Sequence, residues 1–329
     1  MPARLELPSW RNNADDAQRT RATIDAWASS SALGDLVRAS GGAPPALGPA
    51  PLLDWLDEFA AAHWDFRRGA ERNLATRVTL PVELERAVAR SAPALGLAGP
   101  YPDPGESYDT ILMTGGMIRA GIVKPRFARE LLVAGLRARS IVFLGGFRPF
   151  AGDELSLARV LGVHGDNEFD AMTTGMQLAF GPLGEPEVTG AGSGNAGWRS
   201  WRWGLDDVTL RVVAAPSSEA ALRRANTPDT YRFWASHLRE PSERSVLVVT
   251  TPIYVPYQGT GAVEILGLEH DLRVETVGTS ETANDLGEHS QRFLAQHQLQ
   301  ELRAAIGAMR RLRARLSEGP AEGASSGDH

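Results

Sequence analysis

The residues best suited to chemistry stand at the ends of short apolar runs. Asp109-Thr-Ile-Leu-Met-Thr114-Gly115-Gly116 is one such run. Ser140-Ile-Val-Phe-Leu-Gly145-Gly146 repeats the device, and Arg148 follows it. Asn226-Thr227 stands just ahead of a helical pattern, and Ser245-Val-Leu-Val-Val ends in Thr250-Thr251. An apolar run that stops at paired glycines reads as a buried strand entering a loop where the backbone comes close to something. Glycine amides, small hydroxyls and helix starts suit an anion, a phosphate or a carboxylate. Arg148 could hold such a group through two hydrogen bonds. The same glycines serve equally well if they only permit tight strand-to-helix turns. Glu168 opens a helix at Asn167-Glu168, where a carboxylate is either a cap or a general base. His164 is a lone loop histidine, and solvation is its ordinary role. The seven histidines show no ligand spacing, so no metal site is expected. None of these apolar runs leads into a G-x-G-x-x-G, P-loop or G-x-S-x-G pattern.

These residues need elements to position them. Apolar runs at 109–113, 140–144, 207–213 and 245–251 read as strands, and the alternating 272–277 reads as an edge strand. Helical patterns at 126–137, 153–162, 168–181 and from Thr227 separate them. Apolar strands alternating with helices predict an α/β fold: a Rossmann-like, mostly parallel sheet sandwiched by helices. Polar groups at the strand ends then converge on one edge, where such sheets bind small-molecule ligands.

Around this unit, residues 1–104 read as a helical region. A helix over 13–38 carries Ile24, Trp27, Leu33 and Leu36, and others follow near Leu53–Trp64 and from Pro81. The basic turn Phe66-Arg-Arg-Gly-Ala-Glu-Arg-Asn73 is either a solvated helix end or a reach toward an anionic ligand. Gly99-Pro-Tyr-Pro-Asp-Pro-Gly105 marks a boundary, since its prolines support neither helix nor central strand. The α/β domain then covers 105–288, with an amphipathic helix at 289–316 and a disordered tail at 317–329. The stripe Leu299, Leu302, Ile306, Met309, Leu312 and Leu316 either packs on the domain or joins two copies as a homodimer. Gly190 to Gly197 followed by Trp198-Arg-Ser-Trp-Arg-Trp203 reads as a loop, either a lid over the cleft or a surface loop packed on the domain.

Composition narrows the partners. The net charge of −6 argues against nucleic acid and anionic membranes. Cysteine is absent, so no disulfide or thiolate chemistry exists. No basic-then-apolar leader opens the chain, and no run approaches the ~18 apolar residues of a membrane span. A cytoplasmic protein is expected.

In order, the pieces resemble the YdcF/SanA/ElyC-like family. The resemblance covers about residues 107–275. Its carriers are the strand into Gly115-Gly116, Arg126 and its helix, and the second strand into Gly145-Gly146. Asn167-Glu168-Phe-Asp-Ala-Met172, Asn226-Thr227-Pro-Asp229-Thr230 and Val249-Thr250-Thr251-Pro-Ile-Tyr254-Val-Pro-Tyr257 follow. The resemblance implies a Rossmann-like cleft with Glu168 as its acid and S-adenosylmethionine or another nucleotide as ligand. Arg126, Asn226, Thr227, Asp229, Thr250 and Thr251 then join Thr114, both glycine pairs and Arg148 as binding residues. Tyr254 stands where the family has His, and Tyr257 where it has Arg. An unperturbed tyrosine, with a pKa near ~10, is a poor base at neutral pH but can act as a weak acid or donor. Two functions stay open. One is an enzyme, transferase or hydrolase, acting on a nucleotide-like or phosphorylated metabolite in specialised metabolism, with Glu168 and Tyr254 catalytic. The other is a non-catalytic binding or regulatory protein that lacks the family's His and Arg.

Overall fold

The computed structural model describes residues 4–67, 78–97 and 107–318. The apolar runs form strands that are buried along their length because both sheet faces are covered, which leaves no position for polar alternation. Strand β1 (Ser107–Thr114) runs parallel to β2 (Arg137–Gly145) on one side and to β6 (Ser245–Thr250) on the other. Strand β5 (Val208–Ala214) extends the sheet beyond β2, and β7 (Arg273–Gly278) beyond β6, both parallel. The chain therefore winds β1–β2–β5 in one direction and then turns back through β6 and β7. The reversal lies between β1 and β6, and crevices at such a switch point are where α/β sheets bind ligands.

The tryptophan segment is a strand. Strand β3 (Glu187–Ala191) and β4 (Trp198–Leu205) form an antiparallel hairpin that continues the sheet past β5, giving the order β3-β4-β5-β2-β1-β6-β7. The glycines serve the hairpin's turn. Trp201 and Trp203 project to one face, where Trp201 meets Phe169 edge to face at 5.3 Å, and Trp198 projects to the other, against Phe233. With large side chains on both faces, the segment carries no period-two signal.

One face is covered by α5 (Ile118–Val133) and α7 (Glu168–Phe180), with the short α6 (Glu154–Val160) beside them. Helix α5 begins eight residues before the sequence pattern suggested and carries Pro125 inside it. Proline offers no N–H to the Gly121 carbonyl, and that carbonyl faces Gly175 of α7; a Cβ at Gly175 would stand 1.9 Å from it. The other face shares one continuous core with the N-terminal helices. The pattern over 13–38 resolves into α1 (Asp16–Ala28) and α2 (Ser31–Ala39), split where Ser30 accepts the Leu33 N–H. Helices α3 (Pro49–His63) and α4 (Val82–Ser91) follow. On the same side lie α8 (Thr227–Phe233) and α9 (Val255–Ala262), while α10 (Glu281–Asn284) is a single turn.

The C-terminal helix, α11, spans Ala295–Ser317 and packs on α9 and α3. Its whole leucine stripe is buried in the chain's own core, so that stripe is not available to join two copies. The bulk of the basic turn (68–73), the Gly99–Gly105 boundary and the tail from residue 319 lie outside the described residues. Among the described residues, no helix is long and apolar enough to cross a membrane.

Candidate functional site

Glu168 stands at the junction of the two glycine loops. Asn167 caps α7 in a reciprocal capping box with Asp170, and this sets Glu168 as the helix's first residue. Its Oε1 accepts the Gly116 N–H at 2.5 Å and its Oε2 the Gly146 N–H at 3.2 Å. Both loops approach closely: a Cβ at Gly115 would lie 2.6 Å from Glu168 Oε1 and 2.9 Å from Gly145 Cα. Two of the amides expected to hold a ligand anion are therefore taken by a protein carboxylate. Burial pushes the Glu168 carboxyl above the usual range, against the pull of Arg148 and the two N–H groups.

Arg148 is likewise engaged inside the protein. It forms a two-pronged pair with Glu154 at 2.7 and 2.9 Å and also donates to the Gly116 carbonyl at 3.3 Å. Glu154 in turn accepts the N–H groups of Ala151 and Ile118. Burial raises the Glu154 carboxyl, but the Arg148 bonds and these amides outweigh it and hold the group below the usual range. Arg148 thus positions the Gly116 loop rather than offering an open fork.

The hydroxyls also meet each other. Thr114 Oγ1 lies 3.1 Å from Thr250 Oγ1, and both bond to Gln258 Oε1. Both threonines are buried and tie β1 to β6 at the switch point, a role different from the ligand contact expected of them. Gln258 Nε2 continues to Thr227 Oγ1 at 3.3 Å. Beneath them lies Lys124, 1% exposed, whose ammonium donates to the Thr114 carbonyl, the Thr114 hydroxyl and the Gly115 carbonyl at 2.5, 2.8 and 3.0 Å. Three donors meet three oxygens, and a positive charge sits under the first glycine loop.

Asn226 and Asp229 form the capping box of α8, and Asp229 also accepts from Arg223 and Ser218. Burial raises the Asp229 carboxyl, but the bonds from Arg223, Ser218 and the Asn226 N–H prevail and lower it. These two side chains build the helix start rather than reaching for a ligand. Arg126 is placed away from the cleft, donating to the carbonyls of Ala283 and Asp285, because it lies on the side of α5 that meets α10.

Two of the cavities along this edge carry most of the expected residues. One, of about 440 Å³, is bordered by both glycine pairs, Glu168, Asn226, Thr227, Tyr257 and Gln258. Four arginines line it with Glu168, and three of them are paired with carboxylates: Arg67 with Glu301, Arg148 with Glu154 and Arg223 with Asp229. The other, of about 300 Å³, holds Thr251 and Tyr254 and shares Gly115 and Gly116 with the first. Glu168 and Tyr254, expected to act together, line different cavities. Burial raises the Tyr257 phenol, so it is a weaker acid than free tyrosine. Arg67, from the basic turn, borders both cavities and pairs with Glu301 of α11. Among the described residues, no cluster of three or more metal-ligating side chains occurs.

Sequence reasoning missed Lys124, Glu154, Gln258 and Arg224. Lys124 had a signal, a lone charge inside Ile122-Val-Lys-Pro125, where the surrounding residues face the core. Gln258 and Glu154 had none, because their partners are remote or come from a loop whose course only folding decides.

Residues 11–96 match the Rv3785 N-terminal domain. The chain is 30% identical over 328 residues to the uncharacterized protein Rv3785 of Mycobacterium tuberculosis H37Rv, covering 91% of each chain. It is equally similar to the uncharacterized protein Mb3814 of Mycobacterium bovis. No solved structure matches it. These relatives overturn the resemblance to the YdcF/SanA/ElyC-like proteins, whose short motifs sit at strand ends and helix caps that doubly wound sheets commonly form. Tyr254 and Tyr257 are then not replacements of that family's His and Arg, and S-adenosylmethionine, which entered through it, has no remaining support. With nine-tenths of its length shared, the chain belongs to the Rv3785 family.

Proposed function

We propose that this protein is an enzyme acting on a small phosphorylated metabolite bound in the 440 Å³ cavity, with Glu168 as the proton-transferring residue. One observation carries the reading: a buried carboxyl with a raised pKa stands in an arginine-lined cavity at the switch point of a parallel sheet. Burial makes Glu168 hold its proton more tightly than an exposed carboxyl does, while the glycine amides fix its position. Arg224 at the cavity wall and Arg67 at its rim supply positive charge toward a phosphate, and Lys124 adds charge from beneath. A cytoplasmic location fits this reading, since phosphorylated metabolites are made and retained there. A bulk charge of −6 goes with a small ligand rather than nucleic acid. The alternative of binding without turnover rested on the missing family His and Arg, and it loses that support with the family.

Native mass spectrometry of the purified chain, followed by incubation of any co-purified phosphorylated compound with wild type and Glu168→Gln, tests the proposal. Conversion by wild type and its loss in Glu168→Gln is expected. Recovery of the compound unchanged from wild type would refute catalysis.

A further inference from the structure

The 300 Å³ cavity takes no part in that reading, yet Gly115, Gly116, Arg67 and Gln258 border both cavities, so one ligand can extend through both. The walls differ in kind. The larger cavity is mostly polar, with Arg224, Asn226, Thr227 and Glu168 in its wall. The smaller has an apolar and aromatic side of Met117, Ala120, Val123, Tyr254 and Phe293, with polar groups such as Arg119, Gln291 and Gln300 also lining it. The rings of Tyr254 and Phe293 stand edge to face, 6.2 Å between centroids. Apolar and aromatic walls of this type receive a flat ring.

Among these walls sits Gln300 of α11, 6% exposed. Its Oε1 accepts the N–H groups of Phe66 and Arg67 at 2.8 and 3.1 Å, which fixes the amide's orientation. Its Nε2 hydrogens have no partner among the described residues. Gln300 lines the cavity, so this donor opens onto it, and a ring acceptor there takes the place of water on the amide. A hydrocarbon ring would leave it unmet. A ring bearing nitrogen or a carbonyl oxygen would not.

We infer that the 300 Å³ cavity is a subsite for a flat nitrogen heterocycle, with Tyr254 and Phe293 as walls and Gln300 Nε2 as donor to a ring acceptor. The inference rests on the phosphorylated-metabolite reading for the ligand's other end, beside Glu168. It gives the N-terminal helical region and α11 a purpose at the site, since Phe66 and Arg67 orient the amide that α11 carries.

The test is calorimetric titration of the full chain with the four common nucleoside 5′-monophosphates, the free nucleosides and ribose 5-phosphate. Wild type is expected to bind at least one monophosphate about tenfold more tightly than ribose 5-phosphate. Gln300→Glu keeps the acceptors for Phe66 and Arg67 but removes the donor, and should cut that advantage to within about twofold. Phe293→Ala, at a half-buried position, should reduce it about fivefold. Phe293→Ala should leave ribose 5-phosphate binding unchanged, and for Gln300→Glu, which adds charge beside Arg67, the readout is the ratio of the two probes on the same variant. If ribose 5-phosphate binds and no base adds affinity, or if the advantage survives both variants, the subsite is overturned and the phosphate reading stands. If nucleosides bind with the same sensitivity to Gln300→Glu while the phosphate adds nothing, the subsite stands and the phosphate reading falls. Binding by no probe overturns both.

Discussion

Truncating Glu168 to alanine removes a side chain that holds both glycine loops. The N–H groups of Gly116 and Gly146, now 2.5 and 3.2 Å from its oxygens, would lose their acceptor. Hydrogen bonds to a charged group contribute about 1.5–3 kcal/mol each, and the longer contact belongs at or below the lower end. Against this, alanine relieves the cost of burying the carboxyl, and water from the adjoining cavity can reach part of the gap. The expected net loss is about 2 kcal/mol, and Glu168→Gln, which keeps one acceptor, should lose about 1 kcal/mol. The pH dependence has a definite sign. Because burial raises the carboxyl above its ordinary 4.5, the folded chain binds the proton more tightly than the unfolded chain. That contribution is complete below 4.5 and is lost as pH rises through the folded value. Glutamine carries no such proton, so the wild-type advantage over Glu168→Gln should shrink as pH rises above 4.5 and through the folded value. Urea unfolding followed by circular dichroism measures both quantities. An alanine variant within about 0.5 kcal/mol of wild type, or an advantage that widens with pH, would refute the clasp.

Three further outcomes follow from the packing. Gly175→Ala places a Cβ 1.9 Å from the Gly121 carbonyl and should cost at least about 2 kcal/mol, whereas Gly204→Ala, with nothing within 4 Å, should change stability by less than about 1 kcal/mol. Equal urea midpoints for the two variants would sink the helix-crossing account. Arg148→Met leaves the Glu154 carboxylate, 1% exposed, without its ion partner and should cost about 3 kcal/mol. Adding Glu154→Gln should restore a good part of it, and a single variant as stable as wild type would show that the pair does not hold the loop. Asp229→Asn should destabilise by about 1–2 kcal/mol near neutral pH. Burial raises the Asp229 carboxyl while Arg223 and its other donors lower it further, so the folded value lies below 3.8. The stability it contributes is present above 3.8 and lost as pH falls through the folded value, so wild type and variant should converge in acid unfolding curves.

Short motifs misled where long-range contact would have guided. Gly-Gly after a strand, Asn ahead of a helix and Thr-Thr at a strand end each follow from local backbone needs of a doubly wound sheet, so their order is compatible with more than one family. Arg126 entered the expected site through the family resemblance alone. Pro125 had hidden the true first turns of α5, and with them the face on which Arg126 lies. Arg148 looked free because its partner, Glu154, is brought to it by a loop that carries no periodicity. Two tryptophans on one face and one on the other concealed β4.

By itself, the sequence determined the α/β class, the buried parallel strands and the edge on which the polar groups gather. Unbroken apolar runs can only be sheltered on both faces, and glycine pairs can only mark close backbone approach. It also placed Glu168 at a helix start, because Asn167 and Asp170 form a capping box within four residues. The tertiary structure alone decided which of those polar groups face a cavity and which satisfy one another. Thr114 meets Thr250 across 136 positions of sequence and Glu168 meets Gly116 across 52, and no local pattern encodes such distances. A buried polar group needs a partner whatever its position in the chain, and most of the groups that looked available had found theirs within the fold.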